Sequence, residues 1–201
     1  FNIAFIGSVG VPNNYGGFEM FLEACGPELA KNFDEVFITC DRSRYEQRSR
    51  LWNNVNRVFI PLRANGVMSV LHDLFAFLAV FWRVRAIVVL GVSGGLFFPL
   101  FRLLCSIFRK KLLVNVDGVE WRRAKFSRSR RLFLLVSDRL AQAFAHRVIV
   151  DNDALRPFLI KMRRESASLI AYPGDHVLRG GRRAKKTNAA EPVRCLTICR
   201  I

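Results

Sequence analysis

Acidic residues are scarce: 16 Asp and Glu stand against 32 Lys and Arg, a formal net charge of +16. Such an excess attracts polyanions, whether nucleic acid, an anionic membrane surface or a phosphorylated small molecule, and charge alone does not choose among them. Most of the excess is arginine, which suits bidentate phosphate contacts as well as ordinary solvated surface. Histidine is scarce too. His72, His146 and His176 lie on unrelated segments, and no HExxH or Ser/His/Asp pattern accompanies them. Five cysteines are present, an odd number, and only Cys195 and Cys199 are closely spaced, with no second pair or histidine cluster beside them. That leaves no zinc site, and reduced, mostly buried thiols in a cytosolic protein are expected.

Long apolar runs are missing as well. Val67 to Trp82 contains His72 and Asp73 and falls short of the ~20 residues a span needs. Ala86 to Phe108 is broken by Gly91, Gly94, Gly95, Pro99 and Arg102. These stretches are expected to be core or membrane-surface elements. The opening FNIAFIGSVG has no basic region before its apolar run, so it reads as a first core strand with a few residues missing before it, not as a signal peptide. No internal repeat or low-complexity tract is seen.

What is there is globular: 51% hydrophobic and 24% charged residues, with 18 Phe. Apolar runs of strand length alternate with helical stretches. Strands are expected at Asn2 to Gly7, Glu35 to Cys40, Arg57 to Leu62, Ala86 to Gly91, Lys111 to Gly118, Arg147 to Asn152 and Ser168 to Gly174. Helices are expected at Gly17 to Phe33, Val67 to Trp82, Leu96 to Phe108, Ser129 to Ala145 and Asp153 to Met162. Pro27 should kink or divide the first of these. DRSRYEQRSR reads as a charged loop. The alternation predicts an α/β fold with a Rossmann-like, doubly wound parallel sheet. The domain is expected to span 1–178, a basic linker 179–192, and the first strand of a second domain 193–201.

In such sheets ligands sit beyond the carboxyl ends of the strands. The turn Gly7 to Glu19 follows the first strand, and Gly16 and Gly17 open the first helix, where backbone N–H groups and the helix dipole favour an anion. The competing reading is a tight turn that needs glycine. The run Asn115-Val116-Asp117-Gly118-Val119-Glu120-Trp121-Arg122-Arg123 follows another strand. A carboxylate at Asp117 can act as a general base for a hydroxyl nucleophile, with Glu120, Arg122 and Arg123 positioning a polar or phosphorylated acceptor; on the residues alone an ordinary Asp-Gly turn with solvated arginines is slightly favoured. Asp151 and Asn152 follow RVIV and face a ligand or cap the next helix, capping being favoured. Gly91 to Gly95 faces a ligand or makes a turn.

Taken together these segments resemble a known family. IAFIGSVGVPNNYGGFE is similar to the IGTRGIPxxYGGFE opening of bacterial glycosyltransferases of family 4, rhamnosyltransferase-like branch. VNVDGVEWRRAKF resembles that branch's VNVDGxEWxRxKW, SLIAYPGD its xxIPYGA, and LTICRI the strand that starts its donor domain. DRLAQAFAHRVIVDNDALR resembles its helix–strand segment ending ADSxxI. Ser8-Val9 stands where Thr-Arg is usual, Asn152 where Ser is usual, and Asp175 where Ala is usual.

The resemblance implies the N-terminal, acceptor-side half of a GT-B fold, with retaining, metal-independent catalysis. It implies a nucleotide sugar as donor substrate and no cofactor. Asp117 would lie near the reacting centre. Tyr15, Gly16, Gly17, Glu19, Glu120, Trp121, Arg122, Asp151 and Asn152 would line the substrate site. The implied reaction moves a sugar, rhamnose among the candidates, to a lipid-linked saccharide in cell-surface polysaccharide synthesis. The implied setting is the cytoplasmic face of the membrane, with anionic lipid as a partner and nucleic acid not. The family's Glu-x7-Glu donor motif is not in this sequence, so the missing donor domain would be needed for turnover. A basic membrane- or nucleic-acid-binding module and an inactive relic are the alternatives.

Overall fold

The computed structural model describes residues 1–14, 16–116 and 118–172. Its strands are β1 (Ile3–Ile6), β2 (Val36–Asp41), β3 (Leu51–Trp52), β4 (Val55–Ile60), β5 (Ala86–Leu90), β6 (Lys111–Val116), β7 (Arg147–Val150) and β8 (Ser168–Leu169). Its helices are α1 (Gly17–Leu29), α2 (Ser69–Phe81), α3 (Phe98–Ile107) and α4 (Arg128–Phe144). The sheet order is β3-β4-β2-β1-β5-β6-β7-β8. Every neighbouring pair is parallel except β3 and β4. This is the doubly wound α/β, Rossmann-like sheet that the alternation predicts.

The central strands are apolar on both sides because both sides are covered. On one face Ala4, Ile6, Ile87, Val89, Leu112 and Val114 pack under α2, α3 and α4. There Phe77 and Phe101 stack with ring centroids 3.9 Å apart and join α2 to α3. On the other face Phe5, Ile38, Val88 and Leu90 meet Leu22 and Phe18 of α1. Winding therefore reverses between β1 and β5. The chain leaves β1 through α1 toward β2, and leaves β5 through α3 toward β6. Ligand crevices form outside such a reversal, at the carboxyl ends of the strands.

Several local expectations are corrected. The charged loop ends in the short hairpin β3–β4, whose two turn residues Asn53 and Asn54 have φ of 44° and 64°. Asparagine tolerates that left-handed region, and paired left-handed residues are what a two-residue hairpin turn needs. The helix expected over Asp153 to Met162 is instead two 3-10 turns, Asp153–Phe158 and Lys161–Arg163. Pro157 removes a backbone donor in its middle, and Leu159 and Ile160 are extended. α1 is neither divided at Pro27 nor continued to Phe33; it ends at Leu29, which puts Pro27 in its last turn. The linker at 179–192 and the strand at 193–201 lie outside the described residues. Among the described residues, no helix is long and apolar enough to cross a membrane.

Candidate functional site at the carboxyl edge of the sheet

The turn after β1 is built by close approach. Gly7 has φ of +89°, and a Cβ there would run into the Leu90 carbonyl oxygen. Gly10 has φ of +114°, and a Cβ would meet the Cys40 side chain. Only glycine fits such a backbone at low cost. The rest of the turn is tied down from several sides. The Asp41 amide donates to Val9 O at 2.9 Å. The Tyr45 hydroxyl donates to Pro12 O at 3.0 Å, and Arg57 Nη1 donates to Val11 O at 3.2 Å. Arg57 is buried on β4 and also donates to Ser49 O at 2.8 Å and Gln47 O at 3.3 Å. One guanidinium thus holds the glycine-rich turn and the 47–49 segment together. Nothing in the sequence pattern singles out Arg57, since a buried arginine bonded to carbonyls has no local signature.

Glu19, expected to line the substrate site, is 4% exposed, and its Oε1 accepts from the Val9 amide at 2.7 Å. Its carboxylate closes the turn onto the helix that follows. Gly16 is the N-cap of α1 and makes no side-chain capping bond; Gly17 is the first helical residue. The first-turn amides of a helix lack intrahelical acceptors, so α1 presents donors and the positive end of its dipole at this edge. Tyr172 packs against the side of this turn: its ring carbon would be 3.5 Å from a Cβ on Gly17, and its ring meets those of Phe18 and Phe21 at 6.1 and 5.7 Å. Tyr15 lies outside the described residues.

From α1 the edge continues across two strands. The Phe18 ring would lie 3.6 Å from a Cβ on Gly91, the residue after β5. The Gly91 amide donates to Asn115 O in β6 at 2.9 Å. Asn115 pairs laterally with Leu90 and Ile149, on the face that α1 shares. It is 3% exposed, and its amide oxygen has no hydrogen-bond partner among the described residues. Such an atom in a protein interior asks for a donor. Asp151, just past β7, is half-buried, and its Oδ1 likewise has no partner among the described residues, nor does the buried Ser8 hydroxyl after β1. Three strand ends therefore carry unmet polar atoms along one edge. Asn115 lies in the quoted NVDG run, but its alternation inward within an apolar strand was the only sign of a role.

Asp117, the expected catalytic carboxylate, lies outside the described residues; in sequence it directly follows Val116, the last residue of β6. Beyond it, Gly118 is left-handed with φ of +56°. Glu120, Trp121 and Arg122 form a 3-10 turn. Glu120 pairs with Arg123 at 2.9 Å. Trp121 is gathered toward α4, with its carbonyl accepting from Arg131 Nε at 2.9 Å and the Arg139 guanidinium 5.7 Å from its ring centroid. The Arg122 guanidinium lies 5.3 Å from the Phe158 ring centroid. Beneath this turn is Asp138, whose carboxyl is pushed up by burial against the lowering effects of Gln142, Arg139 and Trp121. Asn152 caps the next 3-10 turn by accepting from Ala154 N at 2.9 Å, the favoured of its two readings.

The Gly91–Gly95 turn has a packing role. Asp73 Oδ2 accepts from Gly94 N at 2.9 Å, and a Cβ on Gly95 would strike the backbone of Ser137. Cys40 and Cys105 are buried free thiols, each pushed up to about 11 by burial, which leaves them unreactive. Cys195 and Cys199 lie outside the described residues. Among the described residues, no group of three His, Cys, Asp or Glu is placed to hold a metal.

Among solved structures, sucrose-phosphate synthase from Thermosynechococcus elongatus has a similar fold, with a TM-score of 0.60 at 12% identity. The match covers 86% of this chain and 47% of that protein, so the chain spans less than half of its length. A comparison with curated protein sequences finds no match. A family model described as "Domain of unknown function (DUF1972)" matches residues 2–175, which places this chain in that family.

Proposed function

We propose that this domain is the acceptor-side half of a retaining glycosyltransferase. It would move a sugar, with rhamnose among the candidates, from a nucleotide sugar to a lipid-linked saccharide in cell-surface polysaccharide synthesis. The observation that carries this reading is the continuous edge from the first turn of α1, which has no side-chain cap, through Phe18 and Gly91, to the Asn115 amide oxygen, which has no partner among the described residues. It offers amide donors for phosphate oxygens at one end and hydrogen-bond acceptors for sugar hydroxyls at the other. The shared fold with sucrose-phosphate synthase supports it.

In this reading the Gly16–Gly17 backbone faces the diphosphate of the donor. The Asn115 and Asp151 oxygens accept from hydroxyls of the acceptor. Asp117 accepts a hydrogen bond from the attacking hydroxyl and takes its proton as the new glycosidic bond forms on the same face of the sugar that the nucleoside diphosphate leaves, so that the anomeric configuration is retained. Tyr15, Glu120, Trp121 and Arg122 shape the acceptor side. The donor domain would close over this edge, and the reaction would need no metal. The protein would work on the cytoplasmic face of the membrane.

The test is transfer of label from a panel of radiolabelled dTDP- and UDP-sugars into the lipid fraction of membranes, using the full-length protein. Label in lipid from one donor supports the reading. A folded protein that transfers nothing from any donor refutes it.

A further inference from the structure

The outer faces of α2 and α3 carry an apolar pattern that the fold does not bury. On α2, Leu71, Phe75, Leu78 and Trp82 are exposed; on α3 and its flanks, Leu96, Leu100, Leu103 and Ile107 are exposed. Both sets follow the same helical spacing, which places each on one stripe. The helices are neighbours, with Phe77 stacked on Phe101 and Trp82 packed edge-on against Phe108 at 4.9 Å. The stripes therefore run side by side as one surface. Trp82 is 72% exposed and Ile107 62%, so these are not rims of the core. Val67, 90% exposed, and Met68 extend the surface toward the carboxyl edge of the sheet, where α2 begins. A contiguous patch of this kind on a folded domain marks a docking surface.

Its charge says what docks. From Ser69 to Lys111 there are six Lys and Arg, and the single acidic residue, Asp73, is buried. At the far end of the stripes, Arg83, Arg85 and Lys110 line a cleft of about 550 Å³ together with Trp82 and Asp34. Apolar side chains bordered by cations match an anionic leaflet: the side chains enter the acyl boundary while the cations meet headgroup phosphates. A soluble acidic partner would need no double stripe of leucine and phenylalanine.

We infer that the α2–α3 face lies on an anionic lipid surface through Leu71, Phe75, Leu78, Leu100, Leu103 and Ile107. This rests on the membrane setting proposed above and adds the face and its orientation. The helices lie along the leaflet, and their amino-terminal ends bring the carboxyl edge of the sheet to the lipid surface. A lipid-linked acceptor would then reach that edge without leaving the bilayer.

The experiment is co-sedimentation of the full-length protein with phosphatidylcholine vesicles, with and without phosphatidylglycerol, in the absence of any sugar donor. Binding to the anionic vesicles is expected. Phe75→Glu with Leu103→Glu should weaken it about tenfold or more. Arg83→Gln with Arg85→Gln should weaken it about fivefold per arginine while leaving the apolar stripe intact. Should the glutamate pair fail to fold, as judged by circular dichroism, the glutamine pair decides. Three results overturn the inference: no vesicle binding, equal binding by wild type and folded variants, or self-association that Leu103→Glu abolishes in sedimentation equilibrium. Vesicle binding is read without transfer, so a silent transfer assay and a failed docking face give different results.

Discussion

Glu19, 4% exposed, accepts a hydrogen bond at its Oε1 from the Val9 amide at 2.7 Å. The first turn of α1 thereby fixes the strand-to-helix turn that precedes it. A charge-assisted, buried bond of this kind contributes more than an exposed one. Glu19→Ala should destabilise the domain by about 1.5–3 kcal/mol in chemical denaturation, while Glu19→Gln, which keeps an acceptor oxygen, should lose less. Equal losses would contradict a bonding role.

Glycines at this edge divide by what surrounds them. Gly10→Ala meets both a left-handed backbone and the Cys40 side chain, whereas Gly118→Ala meets only the left-handed backbone, with open space around it. Gly118→Ala should cost about 1–2 kcal/mol, and Gly10→Ala clearly more. Thermal melts of the two variants check the order.

Arg57 should resist conservative replacement. Its guanidinium donates to Val11, Gln47 and Ser49 carbonyls on two segments, and an ammonium has neither the planar fork nor the reach to replace it. Arg57→Lys is expected to cost about 1.5–3 kcal/mol. Limited proteolysis should then cut the 42–50 segment sooner than in wild type. An unchanged cleavage pattern would count against the bridging role.

Asp138 gives a pH signature. Burial raises its carboxyl above the ordinary value, so the folded state holds the proton more tightly than the unfolded one. The associated stability is present below the ordinary carboxylate value, about 4, and is lost as pH rises through the raised value. The melting temperature of wild type relative to Asp138→Asn should therefore fall as pH increases from that point. A difference that grows with pH would reverse the sign and refute the account.

Much of the fold was legible because the apolar runs Ile3–Ile6, Ala86–Leu90 and Lys111–Val116 are buried strands that sequence periodicity marks directly. The β3–β4 hairpin was not, since two-residue strands carry almost no periodicity and Asn53-Asn54 was the only signal. The 3-10 turns after Asn152 were missed because the apolar spacing there resembles a helix until Pro157 is weighed. At the site, the glycine turn was visible from composition. The inward role of Glu19 was not, because a buried acceptor and a ligand contact use the same residue type at the same position. Arg57, Asn115 and Tyr172 join the site only through long-range packing, which one strand or helix read alone does not reveal.

The central claim is that the carboxyl edge of the sheet carries sugar transfer with Asp117 at the reacting centre. The measurement is steady-state transfer from the active nucleotide sugar by full-length wild type, Asp117→Asn and Asp117→Ala, each shown to be folded. The account predicts that both variants lose kcat by about a hundredfold or more, the usual scale for a positioned acid–base group, with KM for the donor little changed. Retention of kcat with a raised KM would make Asp117 a binding residue. Retention of both would contradict the placement of the reaction at this edge.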